Sequence, residues 1–137
     1  MTAGTAGRYD ARMPRLFLPS ARQMNGLLVV GFLATGYALY LRYLAIEQPS
    51  VALACEGGLR TWLCTTRGAA TWLFRHDVFG SVALAVAFIN LIRPSVVLVA
   101  ASLAVGGFGI VLYNVDLSAL AAALLLLSLA RPAPERV

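Results

Sequence analysis

The chain alternates long apolar segments with short polar ones, and four of its segments contain no charged residue. A helix that spans a bilayer needs about 20 predominantly apolar residues. The first and third segments are long enough by themselves, whereas the second is lengthened by residues 71–74 and the fourth ends at an arginine and a proline. The pattern therefore predicts four membrane-spanning helices, at about 23–44, 73–92, 95–114 and 117–130.

The composition places the chain among membrane proteins. Hydrophobic residues make up 60% of its 137 residues and charged residues only 12%, whereas soluble domains are about 25% charged. We therefore expect an all-α polytopic membrane protein, a four-transmembrane-helix bundle with one amphipathic helix in a periplasmic loop. Its membrane domain covers 23–131, after a flexible basic cytoplasmic arm at 1–22 and before a cytoplasmic tail at 132–137.

The arginines predict the orientation of the chain. The chain has a net charge of +5, and all 11 of its basic residues are arginines. We attribute the absence of lysine to a GC-rich bacterial genome. These arginines are scattered between apolar segments, whereas a nucleic-acid-binding protein clusters them on one face. Cytoplasmic loops carry an excess of arginine, so we expect both termini in the cytoplasm and the chain in the bacterial inner membrane. This topology leaves four arginines on the periplasmic side: Arg42, Arg60, Arg67 and Arg75.

The longest connection between the predicted spans, residues 47–77, faces the periplasm in this topology. Within it, apolar residues recur at the spacing of one helical face. The stripe predicts an amphipathic helix, which either lies on the bilayer surface with its tryptophans among the headgroups or covers the end of the bundle. It consists of Leu59, Trp62, Leu63, Thr66, Ala70 and Leu73.

Both cysteines of the chain, Cys55 and Cys64, lie in this loop. Two thiols on an oxidising face of a membrane usually form a disulfide, and Gly57 and Gly58 allow a turn that brings their Cα atoms together. Three interpretations stay open: a structural disulfide, a reversible disulfide that exchanges with other thiols, and a metal site. The metal site has the least support, because His76 is the single histidine and a fourth ligand is missing.

Residues from about 43 to 91 contain several motifs in a fixed order. Two loop cysteines follow the first predicted membrane helix, an amphipathic helix comes next, and the sequence HDVFG opens the second membrane helix; GFGIVLY in the third helix adds support. In this order the motifs resemble those of the vitamin K epoxide reductase family. The resemblance implies a four-helix scaffold in which Cys55 and Cys64 match the family's loop pair, and Phe79 and Gly80 its helix-entry motif. The family's catalytic C-x-x-C has no counterpart, since no cysteine follows Cys64. The resemblance therefore concerns the scaffold rather than the chemistry.

Several polar residues allow a structural or a functional interpretation. His76 and Asp77, close to Trp72, are either a proton-transfer pair and quinone contact at the membrane surface or an ordinary solvated junction between helices. Asn90 and Asn114 are expected to join helices by hydrogen bonds, as polar side chains do in membrane bundles.

Small residues predict where helices approach one another closely. Glycine and alanine let the backbones of membrane helices come into contact, and the first and third predicted spans are rich in them. The positions assigned to helix packing, besides the two asparagines, are Gly31, Gly36, Gly80, Gly106, Gly107 and Gly109.

The sequence contains no nucleophile elbow, no phosphate-binding glycine loop and no pair of membrane-embedded carboxylates. We therefore expect a non-catalytic accessory or assembly component of a membrane complex, without metal or cofactor. Its partners are the lipid bilayer and either other membrane subunits or further copies of itself. The first alternative is a thiol–disulfide exchange protein on a scaffold like that of vitamin K epoxide reductase, which would use a quinone. The second alternative is an oligomeric transporter of small molecules or lipids.

Overall fold

The computed structural model describes residues 16–132, and this part of the chain is all-helical, without a strand. The expectation of an all-α protein is thereby confirmed. Most of the expected arm, residues 1–15, and residues 133–137 of the expected tail lie outside the described residues. The helices are α1 (Ala21–Tyr40), α2 (Pro49–Glu56), α3 (Trp62–Arg75), α4 (Val78–Ile92), α5 (Val96–Val111) and α6 (Val115–Leu129), and a π-helical segment, Leu41–Ile46, continues α1.

The first helix begins at Ala21 because Ser20 caps it. The Ser20 hydroxyl accepts a hydrogen bond from the N–H of Gln23, and the Gln23 side chain accepts one from the N–H of Ser20 over 2.9 Å. This reciprocal capping box satisfies backbone donors at the helix start. Residues 21 and 22, expected in the flexible arm, are therefore helical. With its π-helical end the helix has 26 residues, and it is apolar enough to cross a membrane.

The second predicted span is interrupted, so the expectation of one continuous helix over 73–92 is wrong. The amphipathic helix α3 and the apolar helix α4 meet at an angle of 63°. Between them Asp77 has a φ of 53°, a left-handed conformation that ends a helix and that few residues other than glycine adopt. The apolar residues 73 and 74 consequently belong to α3. The expected stripe also begins too early, because Leu59 precedes α3, and α2 is a helix that the sequence pattern did not predict.

The bundle is organised around α4 and α5. Helix α4 packs against both α5 and α6, while α1 packs against α5. By length and apolarity, Ala21–Ile46 is a candidate membrane span, and α3 with α4 forms a second candidate if the bent pair counts as one; α5 and α6 are apolar but shorter. The residues of the central core are Leu27, Ala83, Ala87, Val99, Ala121 and Leu125.

Two arginines bind the C-terminal ends of neighbouring helices. Arg42 donates through Nη1 to the carbonyl of Val111 at the end of α5 over 3.0 Å, and Arg131 donates through Nη1 to the carbonyl of Leu91 near the end of α4 over 2.7 Å. The last carbonyls of a helix have no intrahelical partner, and positive charge is favourable there. The N–H of Phe17 also donates to the carbonyl of Arg131 over 3.1 Å. Both ends of the described chain therefore lie at the same end of the bundle.

Candidate functional site

The cysteine pair closes a helical hairpin at the other end of the bundle. After α2 the chain turns through Gly58, whose φ is 94°, and α3 begins after its N-cap residue Thr61. The sulfur atoms of Cys55 and Cys64 are at disulfide distance, and their Cα atoms are 5.5 Å apart, a usual separation for a disulfide. The structure thus shows the pair that the sequence predicted. We call residues 49–75 the clamped hairpin.

The two sulfur atoms have different surroundings. Cys64 is the third residue of α3, and the Thr61 hydroxyl donates to Cys64 Sγ over 3.4 Å. A helix N-terminus and a hydrogen-bond donor both favour a thiolate, whereas Cys55 lies in the last turn of α2. Of the two sulfurs, Cys64 is therefore the better leaving group when another thiolate attacks Cys55. A cavity of about 160 Å³ lies beside the disulfide.

Trp72 and His76 contact each other, but Asp77 does not join them. The rings of Trp72 and His76 are stacked with their centroids 4.3 Å apart, and His76 Nδ1 donates to the Trp72 carbonyl over 2.8 Å. The Asp77 carboxylate instead accepts a hydrogen bond from Asn114. A role of these three residues as a quinone contact stays a prediction. The expected His76–Asp77 proton-transfer pair is not present among the hydrogen bonds of the described residues.

Asn114 connects three parts of the chain at this end of the bundle. Its side-chain nitrogen donates to the carbonyl of Phe74 over 3.0 Å and to Asp77 Oδ1 over 2.9 Å, while its side-chain oxygen accepts from the N–H of Gly80 over 3.5 Å. Asn114 is only 5% exposed. It therefore holds the break between α3 and α4 against the turn between α5 and α6.

A polar cluster that the sequence did not predict lies beside this junction. Arg42 Nε lies 2.8 Å from Glu47 Oε1, the hydroxyl of Tyr113 donates to the same oxygen over 2.5 Å, and the Arg42 guanidinium lies 4.4 Å from the centre of the Tyr113 ring. The Tyr113 hydroxyl and then Arg42 lower the pKa of Glu47, because both favour its charged form. Tyr113 has a φ of 70°. Such a cluster, drawn from distant parts of the chain, has no local sequence signal.

Asn90 performs a similar joining role at the opposite end of the bundle. Its side chain is fully buried, and its nitrogen donates to the Ser128 hydroxyl of α6 over 2.8 Å. Its oxygen accepts from the N–H of Ser95 over 2.9 Å. Asn90 thus connects α4 to α6 and to the turn before α5.

The glycines expected at helix contacts differ in how closely a neighbour approaches. A Cβ added at Gly80 would lie 2.6 Å from Leu117, and one at Gly109 would overlap the Ser118 hydroxyl. At Gly36 nothing lies within 4 Å, so the expectation that Gly36 packs against another helix is wrong within the described residues. A Cβ added at Gly31 would meet Leu103, one at Gly107 would meet Thr35, and one at Gly106 would meet Ala83. Apart from Gly36, the glycines of α1 and α5 that were assigned to helix packing therefore lie at contacts within the bundle.

No group of three histidine, cysteine or acidic side chains that could hold a metal ion occurs in residues 16–132. Comparison with protein-family models, with curated proteins and with solved structures finds no match for this chain.

Proposed function

We propose that this chain is a small protein of the bacterial inner membrane that crosses the bilayer four times, with both termini in the cytoplasm. The spans are Ala21–Ile46, α4, α5 and α6. The last three have 15, 16 and 15 residues, or about 23 Å each. Bilayers accommodate short spans by local thinning and by snorkelling of flanking side chains. The adjacent ends of the described chain support an even number of crossings.

The outer surface of the bundle supports a bilayer environment. Large apolar side chains point away from the core on several helices, including Phe32 of α1, Val97 of α5 and Leu126 of α6, which are 77%, 75% and 69% exposed. Exposed large apolar side chains on several helices are unfavourable in water. Hydrocarbon chains are the environment that such a surface suits.

Within the membrane, we infer a non-catalytic role as an accessory or assembly component of a larger complex. The observation that carries this proposal is the clamped hairpin, which displays Trp62 and Trp72 with 65% and 58% of their surface exposed. The disulfide and contacts with the π-helical segment and α4 hold this hairpin in place. Tryptophan is enriched among the residues that dominate protein interfaces, and a surface ordered in advance loses little entropy on binding.

Site-specific cross-linking tests this role. The chain is expressed at its native level with a photo-reactive amino acid in place of Trp62 or, as a lipid-facing control, of Phe32. We expect a discrete larger complex on native gels in mild detergent and a defined membrane-protein adduct from position 62 alone. The double variant W62A/W72A is expected to release the chain from the complex. A chain that migrates alone and monodisperse, with no adduct from position 62, contradicts the accessory role.

The asymmetry of the disulfide supports a second candidate, thiol–disulfide exchange on a scaffold like that of vitamin K epoxide reductase. A partner thiolate would attack Cys55 Sγ, the Cys55–Cys64 bond would break, and Cys64 would leave as the thiolate. A second thiol of the partner would then attack the mixed disulfide. The partner dithiol is oxidised by two electrons and the cysteine pair is reduced, and another protein disulfide would have to reoxidise it.

Trapping distinguishes this second candidate from a structural disulfide. If the pair exchanges, C64S leaves Cys55 able to form a mixed disulfide with an oxidised partner, and we expect an adduct that dithiothreitol removes. We expect the C55S control to give less adduct. Absence of an adduct from both variants, with loss of stability in both, would indicate that the disulfide is structural.

A further inference from the structure

Thr61 connects the start of α3 to the disulfide through a single hydroxyl group. As the N-cap residue, it accepts a hydrogen bond from the N–H of Cys64 over 3.4 Å. The same hydroxyl donates its hydrogen to Cys64 Sγ, also over 3.4 Å. One hydroxyl can do both, because it carries one hydrogen and two lone pairs. The helix cap and the contact with sulfur therefore depend on the same side chain.

These two contacts do not require the bond between the sulfur atoms. Thr61 and Cys64 are three positions apart at the start of one helix. Helix α3 has 14 residues, buries Ala70, and packs against the π-helical segment and α4. We therefore expect the hydroxyl to stay beside Cys64 Sγ after the disulfide has been reduced.

The charges around Cys64 favour a negative sulfur atom. The first N–H groups of a helix and its dipole stabilise negative charge, and a donor stabilises the charged form of the group that accepts from it. Helix α3 contains no acidic residue, and Arg67 follows Cys64 by one turn. Arg60 precedes the cap, whereas the nearest acidic residue in the chain, Glu56, follows Cys55 at the end of α2. The thiolate of the reduced pair is therefore expected at Cys64.

We propose that Thr61 is a positioning residue of the cysteine pair, which stabilises the Cys64 thiolate and thereby makes the disulfide an oxidant of protein dithiols. The inference rests on the thiol–disulfide exchange that is the second candidate function above. Because the thiolate is a product of the reduction, its stabilisation raises the equilibrium constant for reduction of the pair.

The reaction transfers two electrons from the partner to the pair. A thiolate of the partner attacks Cys55 Sγ, the bond between the two sulfurs breaks, and Cys64 leaves as the thiolate. The second thiol of the partner loses its proton and attacks the partner's sulfur in the mixed disulfide, which releases Cys55. The partner dithiol has then lost two electrons and two protons, and the pair has gained two electrons and the one proton on Cys55. Another protein disulfide reoxidises the pair by the reverse steps.

Equilibration of the purified full chain with glutathione buffers at pH 7 tests the role of Thr61. We expect T61S, which keeps the hydroxyl, to match the natural chain within about twofold, and T61V to lower the equilibrium constant for reduction about three- to tenfold. The control T66V removes a hydroxyl that donates to the Trp62 carbonyl over 2.8 Å, and we expect it to leave the constant unchanged.

T61D separates the contact with sulfur from helix capping. Aspartate caps helices at least as well as threonine, but its carboxylate has no hydrogen to donate and repels a thiolate. We therefore expect T61D to lower the constant more than T61V does. Mass spectrometry of acid-quenched mixtures locates the transient glutathione adduct. We expect it on Cys55 in the natural chain and in T61S, with a larger share on Cys64 in T61D.

Three results would overturn the proposal. Equal constants for T61S, T61V and T61D would show that Thr61 has no influence on the pair. A constant for T61D that matches the natural chain, with a lower one for T61V, would mean that capping alone is responsible. Glutathione found mainly on Cys64 of the natural chain would reverse the order of attack. The trapping experiment reports separately, since absence of adducts from C64S and C55S refutes exchange with partners even if Thr61 sets the glutathione equilibrium.

Discussion

Asn114 shows how much of this molecule depends on single polar side chains. Its amide group contacts the end of α3, the left-handed Asp77 and the start of α4. A buried polar group without a hydrogen-bond partner is unfavourable. Each of these hydrogen bonds therefore favours the one arrangement of the helices in which it can form. The sequence predicts Asn114 as a helix-joining residue, but its three partners lie 34 to 40 positions away and could not be read from the sequence.

Removal of the Asn114 amide is predicted to destabilise the hairpin end of the bundle. N114A leaves the Phe74 carbonyl and the Asp77 carboxylate without this donor, and we expect a loss of about 1–3 kcal/mol in the free energy of unfolding. Unfolding in mixed micelles measures the change. N25A, at an exposed position of α1, is the matched control. Equal stability of N114A and N25A would show that Asn114 does not hold the junction.

Glu47 is expected to make the stability of the folded protein depend on pH. The Tyr113 hydroxyl and Arg42 hold the pKa of Glu47 below its ordinary value of 4.5. A lowered folded-state pKa means that the carboxylate contributes stability above the unfolded-state pKa and loses it as the pH falls through the folded-state value. We predict that E47Q lowers the melting temperature at pH 7, and that its melting temperature converges with that of the natural chain as the pH falls below about 4.5.

Melting curves between pH 7 and pH 3 check this prediction. The control is E56Q, because Glu56 is exposed and makes no side-chain hydrogen bond among the described residues. A constant difference between E47Q and the natural chain over the whole range would show that Glu47 does not act through its charge.

At the scale of helices, glycine decides how closely α4 and α6 approach. The side chain of Leu117 occupies the place that a Cβ at Gly80 would take. We therefore predict that G80A separates the two helices and lowers the free energy of unfolding by about 1–3 kcal/mol. G36A, where no atom lies within 4 Å of the added Cβ, should stabilise α1 by up to about 1 kcal/mol through helix propensity.

The free energies of unfolding of G80A and G36A are measured in the same mixed micelles and compared with that of the natural chain. Both substitutions add one methyl group to an apolar helix, so they differ mainly in what that methyl group meets. Loss of stability in both variants would mean that the position of Leu117 is not the cause.

The disulfide is predicted to stabilise the clamped hairpin more than the bundle. The cysteines are separated by 9 positions, and closing a ring of this size contributes about 2–3 kcal/mol in the chain-entropy description. C55S/C64S should therefore be cleaved by trypsin at Arg60 or Arg67 while α4, α5 and α6 stay intact. Mass spectrometry of the fragments measures this. Cleavage within the bundle at the same rate would contradict an effect confined to the hairpin.

The sequence predicted those helices and turns whose formation depends on residues close together in the chain. Apolar periodicity predicted α3, and the two glycines beside the cysteines indicated the turn that the disulfide closes. The break before α4 was not predicted, because the polar residues Arg75, His76 and Asp77 interrupt the apolar run there but can also lie at the end of a spanning helix without breaking it. The bend depends on Asp77, whose left-handed backbone is held by a side chain from the other half of the protein. The Arg42–Glu47–Tyr113 cluster escaped prediction for the same reason, since Tyr113 lies 66 positions from Glu47.

At the scale of the whole molecule, the position of the chain ends leads to a topology prediction. In a C55S/C64S background, single cysteines at positions 20 and 131 should be protected from a membrane-impermeant thiol reagent in intact spheroplasts. A cysteine at position 50, in the hairpin, should react. Labelling is measured before and after the membrane is opened with detergent. Opposite accessibility of positions 20 and 131 would require an odd number of crossings and would contradict four spans.

The short separation between the cysteines has a consequence for biosynthesis. Both cysteines and the turn between them precede α4 in the chain, so in the proposed topology the covalent ring would close as soon as this stretch of the nascent polypeptide has been translocated. Nothing synthesised later is needed to bring the two thiols together. The last three helices would then insert beside a region that is already cross-linked, and an oxidase that acts during translation would find its substrate before the protein is complete.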